Sequence, residues 1–135
     1  MRDTRIIMGM PITVEIIDVV SADVMERAFE YFVSIDQKFS TYKEDSEISA
    51  YNRGEISDER RSVEMCEVFQ LAAATEKASH GYFDMRRADG TVDPSGIVKG
   101  WAVRNVARLI AQAGAQNFYV EAGGDIQTAG MNSAG

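Results

Sequence analysis

Residues 93–101 read DPSGIVKGW, and the types and spacing there suit the recognition of an anion. Asp93 can cap a helix whose first turn holds Pro94, and a helix start offers N–H groups and the positive end of a dipole. Lys99 lies one turn further in, where its amine can join those donors. At about 100° per residue the helix that follows has one apolar arc, formed by Val98, Ala102, Val103, Val106, Leu109, Ile110 and Ala113, and that arc contains Lys99. Arg104, Asn105, Arg108 and Gln112 take the opposite side. A lysine is rarely buried without a partner, so Lys99 either snorkels to the edge of the core or meets an anion there.

Other residues could add to this chemistry. Gly123, Gly124 and Asp125 read as a tight turn able to approach a ligand, with Asp125 orienting the turn through backbone N–H groups. Arg86 and Arg87 are either forked donors for phosphates or solvated charges beside a turn. His80 is the sole histidine and belongs to a helix end, with no Ser/His/Asp or Cys/His set around it. Cys66 is the sole cysteine, which excludes an intrachain disulfide and a thiolate cluster; on a helix it reads as a small buried hydrophobe.

The scaffold holding these residues is one domain over residues 1–135, a length sufficient for a real core. A net charge of −7 argues against a general nucleic-acid surface, which is built from clustered Lys and Arg, and means that an anionic ligand needs local help. No apolar run is long enough to cross a membrane, and the N-terminus lacks the features of a signal peptide, so the chain as given is expected in the cytoplasm.

Residues 5–19 predict one or two strands around a turn at Met8–Pro11. Ser21 can cap a helix over 22–38, where Met25, Ala28, Phe29, Phe32, Ile35 and Phe39 recur at spacings of three and four. The polar stretch 40–57 reads as an extended loop. Ser62 precedes a second helix that runs to about Ser79 and is closed by His80 and Gly81. Residues 82–92 are irregular, with a tight turn at Asp89-Gly90, and the third helix runs to about Ala113 before Gly114. Residues 118–130 supply a strand, a glycine break and a second strand start. This order predicts an α+β fold, a mainly antiparallel sheet with helices on one face.

The segments MGMP (8–11), KFSTYKEDSEISAYNRG (38–54), HGYFD (80–84), VDPSGIVKGWAV (92–103) and EAGGDIQTAG (121–130) occur in this order. Together they resemble the ApbE family of FAD:protein FMN transferases, over nearly the whole chain. The resemblance implies a T-fold-like α+β arrangement and a magnesium-dependent enzyme that transfers FMN from FAD to a threonine of a target flavoprotein, releasing AMP. It implies FAD contacts from Met8, Tyr42, the Tyr82-Phe83-Asp84 segment, Asp93 and Lys99, and a backbone carbonyl of Gly96 on Mg2+. Tyr82 departs from the pattern, replacing a small residue common in the family.

Family members continue for about a hundred further residues, which carry the remaining magnesium ligands. The ending at MNSAG therefore reads as a truncation, and no residue of this chain is assigned as catalytic. Asp89-Gly90-Thr91-Val92 does not match the family's acceptor motif, so the chain is not expected to be its own target. The alternatives are a non-catalytic FAD-binding module and an inactive fragment whose exposed sheet edge favours a homo-oligomer.

Overall fold

A computed structural model describes residues 1–131. The chain divides into two compact units, Met1–Ser34 with Lys99–Gly135, and Ile35–Val98. Its elements are β1 (Arg2–Ile7), β2 (Met10–Ile16), α1 (Asp23–Phe39), α2 (Glu47–Asn52), α3 (Val63–Ala78), α4 (Ser95–Gln112), β3 (Phe118–Ala122) and β4 (Asp125–Ala129), with a 3₁₀ turn at Asp58–Arg60. The ending MNSAG, read above as a truncation, falls from Asn132 onward outside the described residues.

In the first unit the strands form one sheet in the order β1-β2-β3-β4, and each neighbouring pair is antiparallel. Ile12, Val14, Ile16, Phe118, Val120 and Ala122 alternate onto one face, and all are buried. Helices α1 and α4 lie on that face: the Arg5 guanidinium sits 4.3 Å over the Phe29 ring, and Asn105 Nδ2 donates to Tyr31 Oη at 2.8 Å. The result is the expected α+β architecture. Strand β1 starts at Arg2, three residues ahead of the sequence-based expectation. The polar run RDTR conceals it because an edge strand needs little apolar content; Arg2 bonds Glu15 at 2.7 Å, and the terminal amine donates to the Ile16 carbonyl at 2.8 Å.

The second unit is built on the end of α1, on α2 and α3, and on the irregular segment that leads into α4. Its buried residues include Ile35, Phe39, Ile48, Met65, Val68, Phe69 and Ala72. The loop expected over 40–57 is in part a helix. Ser46, fully buried, accepts from the Ser49 N–H as the N-cap of α2 and donates to the Ser40 carbonyl at 2.6 Å, and Ile48 anchors the turn in the core. With only Ile48 buried in a six-residue helix, no 3.6-residue period is there to read. Ser62 caps α3 as expected, through the Met65 N–H at 3.2 Å. Cys66 lies on α3 but is half-buried, its Sγ facing the Arg61 carbonyl rather than the core.

The end of α3 explains the pair His80-Gly81. The Gly81 N–H returns to the Glu76 carbonyl at 2.8 Å and the His80 N–H to Lys77 at 3.2 Å, with His80 in the left-handed region at φ 54°. This is a Schellman closure in which histidine takes the seat usually held by glycine. His80 acts there through its backbone.

Candidate functional site

In the first unit, strand register builds one end of the sheet from two tight hairpins. Ile7 pairs with Met10 and Ala122 with Asp125, leaving the two-residue turns Met8-Gly9 and Gly123-Gly124. Both turns have positive φ at both positions, 59° and 70° in one, 53° and 95° in the other, the pattern of type I′ turns that suits the strand twist. Because β2 begins where β3 ends, the two turns are neighbours at this end; Ile12 pairs with Ala122. Met8 therefore occupies a backbone conformation that methionine rarely adopts.

Lys99 of α4 reaches the same end. Its Nζ donates to the Gly123 carbonyl at 2.9 Å and lies 3.3 Å from Asp125 Oδ2. A Cβ at Gly123 would stand 2.9 Å from Met10 Sδ and 3.4 Å from both Cδ and Nζ of Lys99, so glycine is what allows this approach. The side chain of Lys99 is 31% exposed. It lies at the edge of the apolar face, as snorkelling requires, and its charge already has a partner. The two carboxylates of EAGGD go to opposite faces of the sheet: Asp125 turns toward Lys99, while Glu121 accepts from the Tyr119 phenol, a bond that pushes the phenol pKa up.

In the second unit, Asp93 does cap the start of α4. Its Oδ1 accepts from the Ser95 N–H at 3.1 Å, and its Oδ2 meets Arg87 Nη2 at 2.5 Å. Burial disfavours the charged carboxylate, but the bonds from Ser95 and Arg87 outweigh it and hold the pKa below the usual value. The N–H groups of Ile97 and Val98 both return to the Pro94 carbonyl. Contrary to the sequence-based expectation, the first turn thus presents fewer free donors to an anion, because the chain satisfies most of them itself. Arg87, a candidate phosphate donor, is engaged with Asp93, whereas Arg86 joins a short bridge with Val92.

The Phe83 ring lies against the start of α4, where a Cβ on Gly96 would stand 3.1 Å from it. Asp84 is exposed and accepts the Arg86 N–H at 2.9 Å. Tyr42 and Tyr82 are each 97% exposed, so neither ring is used in packing the unit. Sequence reasoning missed Asn52. Its amide donates to the Val92 carbonyl at 3.0 Å and accepts the Val92 N–H at 2.9 Å, as a neighbouring strand would, fixing the backbone just ahead of Asp93. Nothing in an Asn on a polar stretch signals this role.

The donor chemistry here does not fit magnesium. Gly96 lies in α4, where a carbonyl belongs to the i to i+4 ladder, and no group of three or more His, Cys, Asp or Glu gathers among the described residues. Magnesium takes about six oxygens in near-octahedral geometry.

The model of the ApbE family matches residues 8–88 and 85–135. Among solved structures, the flavin transferase ApbE from Vibrio cholerae shares 20% identity and superposes with a TM-score of 0.88, covering 100% of this chain and 60% of its own. The flavinyl transferase ApbE of Pseudomonas stutzeri in its apo form gives 19% identity, a TM-score of 0.84, and coverage of 100% and 62%. The ApbE protein from Thermotoga maritima gives 17%, 0.80, and coverage of 98% and 59%. No curated protein sequence matches significantly. This chain thus spans about 60% of the length of those structures, and at such identities the likeness speaks for a shared fold. A family match along nearly the whole sequence, joined to that fold, shows that the chain belongs to the ApbE family.

Proposed function

We propose that this chain supplies FAD-handling residues of an FAD:protein FMN transferase, whose reaction forms a bond from a target threonine oxygen to the FMN phosphorus and breaks the pyrophosphate, releasing AMP. The observation that carries this reading is Lys99, a fixed ammonium at the end of a sheet that also presents Met8 and the Gly123-Gly124 turn. A lysine there neutralises phosphate charge in an otherwise acidic protein. Asp93 fixes the start of α4, and the exposed rings of Tyr42 and Tyr82 offer π faces to a flavin or an adenine. In-line phosphoryl transfer rests on such positioning and charge neutralisation.

Magnesium belongs to the reaction by family resemblance, and no step of it is assigned to residues of this chain. Titration of FAD fluorescence with the 135-residue protein tests the binding half: saturable binding that changes little with magnesium is expected, and no binding would overturn the reading. In-gel fluorescence of a threonine-bearing target, incubated with FAD and magnesium against an EDTA control, separates the alternative of a non-catalytic FAD-binding module. Because the described residues gather no cation donor set, labelling is expected from a chain of the relatives' full length and not from these residues alone.

A further inference from the structure

Within the first unit, the position of Lys99 is set by neighbours that the strand register fixes. Asp125 opens β4 opposite Ala122 of β3, so its carboxylate is tied to the hairpin. Its Oδ2 lies 3.3 Å from the amine, which also donates to the Gly123 carbonyl at 2.9 Å. An ammonium has three N–H donors. One goes to the Gly123 carbonyl while Asp125 pairs with the charge, which leaves donor capacity for an incoming oxygen. We propose that Asp125 is a positioning residue, one that holds the Lys99 ammonium on the Gly123 carbonyl so that a remaining donor meets an anionic pyrophosphate oxygen of a dinucleotide. The identity of that anion rests on the function proposed above; the positioning does not.

A carboxylate beside an anion site also repels the anion. Asp125 is 47% exposed, so solvent and salt screen that repulsion. The freedom of a lysine with four side-chain torsions is not screened, and fixing it in advance favours binding. Positioning therefore outweighs repulsion.

Two readouts test this. Limiting acetic anhydride, with peptide mass spectrometry and Lys77 as the internal standard, reports how freely the amine reacts. Asp125→Ala is expected to speed Lys99 acetylation about two- to fivefold, the range for loss of a half-exposed ion pair, and Asp125→Glu to restore much of the protection. Unchanged acetylation overturns the proposal whether or not FAD binds. In FAD titrations, Asp125→Ala is expected to weaken binding about two- to tenfold when Lys99 is present and not at all in a Lys99→Met background. Equal losses in both backgrounds would make Asp125 merely structural, and tighter binding would mean that repulsion wins; either overturns the proposal. Absence of FAD binding by the unaltered chain would defeat the functional reading alone, and the acetylation result would still decide the role of Asp125.

Discussion

The hairpin end of the first unit and the helix-start region of the second hold their polar groups in different ways. At the hairpins a charged amine is placed by backbone geometry: two type I′ turns, a glycine too close to its neighbours for a Cβ, and an ion pair to a residue in the sheet. Ahead of α4 the backbone itself is placed by side chains, Asn52 on Val92 and Asp93 on Ser95, while Tyr42 and Tyr82 stand in solvent. The first arrangement fixes a charged amine in place. The second keeps its aromatic surface open, and its order depends on a few hydrogen bonds.

If that contrast holds, the largest loss of stability comes from Asn52→Ala. The Val92 N–H and carbonyl would both lose their partner at a residue only 7% exposed, at a cost of about 2 to 4 kcal/mol by urea denaturation. A loss under about 1 kcal/mol would mean that water replaces the amide freely. Gly123→Ala comes next. With φ at 53° and Met10 Sδ in the way, it is expected to lose about 1 to 2 kcal/mol and to shift Lys99, seen as weaker FAD binding in a fluorescence titration. Unchanged stability would show that the turn tolerates a side chain.

Tyr42→Ala and Tyr82→Ala should divide stability from binding. Thermal midpoints are expected to stay within the effect of about 0.5 kcal/mol typical of surface positions. FAD affinity should fall roughly three- to tenfold for each ring that stacks on the ligand. A large drop in midpoint with unchanged affinity would recast these rings as structural.

The smallest effect is acid sensitivity shared by both units. In the first unit, hydrogen bonds from the Asn117 side chain and backbone and from the Gln116 N–H lower the Asp18 pKa; in the second, Asp93 is lowered against its burial. A carboxyl group lowered on folding stabilises the native state fully above its unfolded pKa, and that contribution is lost as pH falls through the folded value. Stability should therefore decline below about pH 4, with Asp93→Asn flattening part of that decline. An unchanged acid limb in Asp93→Asn would contradict the assignment.

How much of this was legible in the sequence follows from period and chemistry. Long amphipathic helices and paired strands announced themselves because their apolar positions repeat, as Met25 to Phe39 do in α1. The N-caps Ser62 and Asp93 were readable because capping needs a short polar side chain at a fixed offset. Helix α2 was not, since it rests on the single buried Ile48 and a buried Ser46 inside a polar run. Asn52 was invisible because its partner lies 40 residues away. Lys99 stood out as a charge on an apolar arc, but its partnership with Asp125 is tertiary and follows from the β3–β4 register.

The central claim is that Lys99 serves a ligand as well as the fold, and titration of FAD against the unaltered protein and Lys99→Met tests it most directly. The substitution keeps an apolar stem and removes the charge. With a charge-assisted contact contributing about 1.5 to 3 kcal/mol, affinity is expected to fall roughly ten- to a hundredfold while the protein remains folded. Unchanged FAD affinity, with a thermal midpoint equal to or above that of the unaltered protein, would contradict the account and leave Lys99 as a lysine at the rim of an ordinary core.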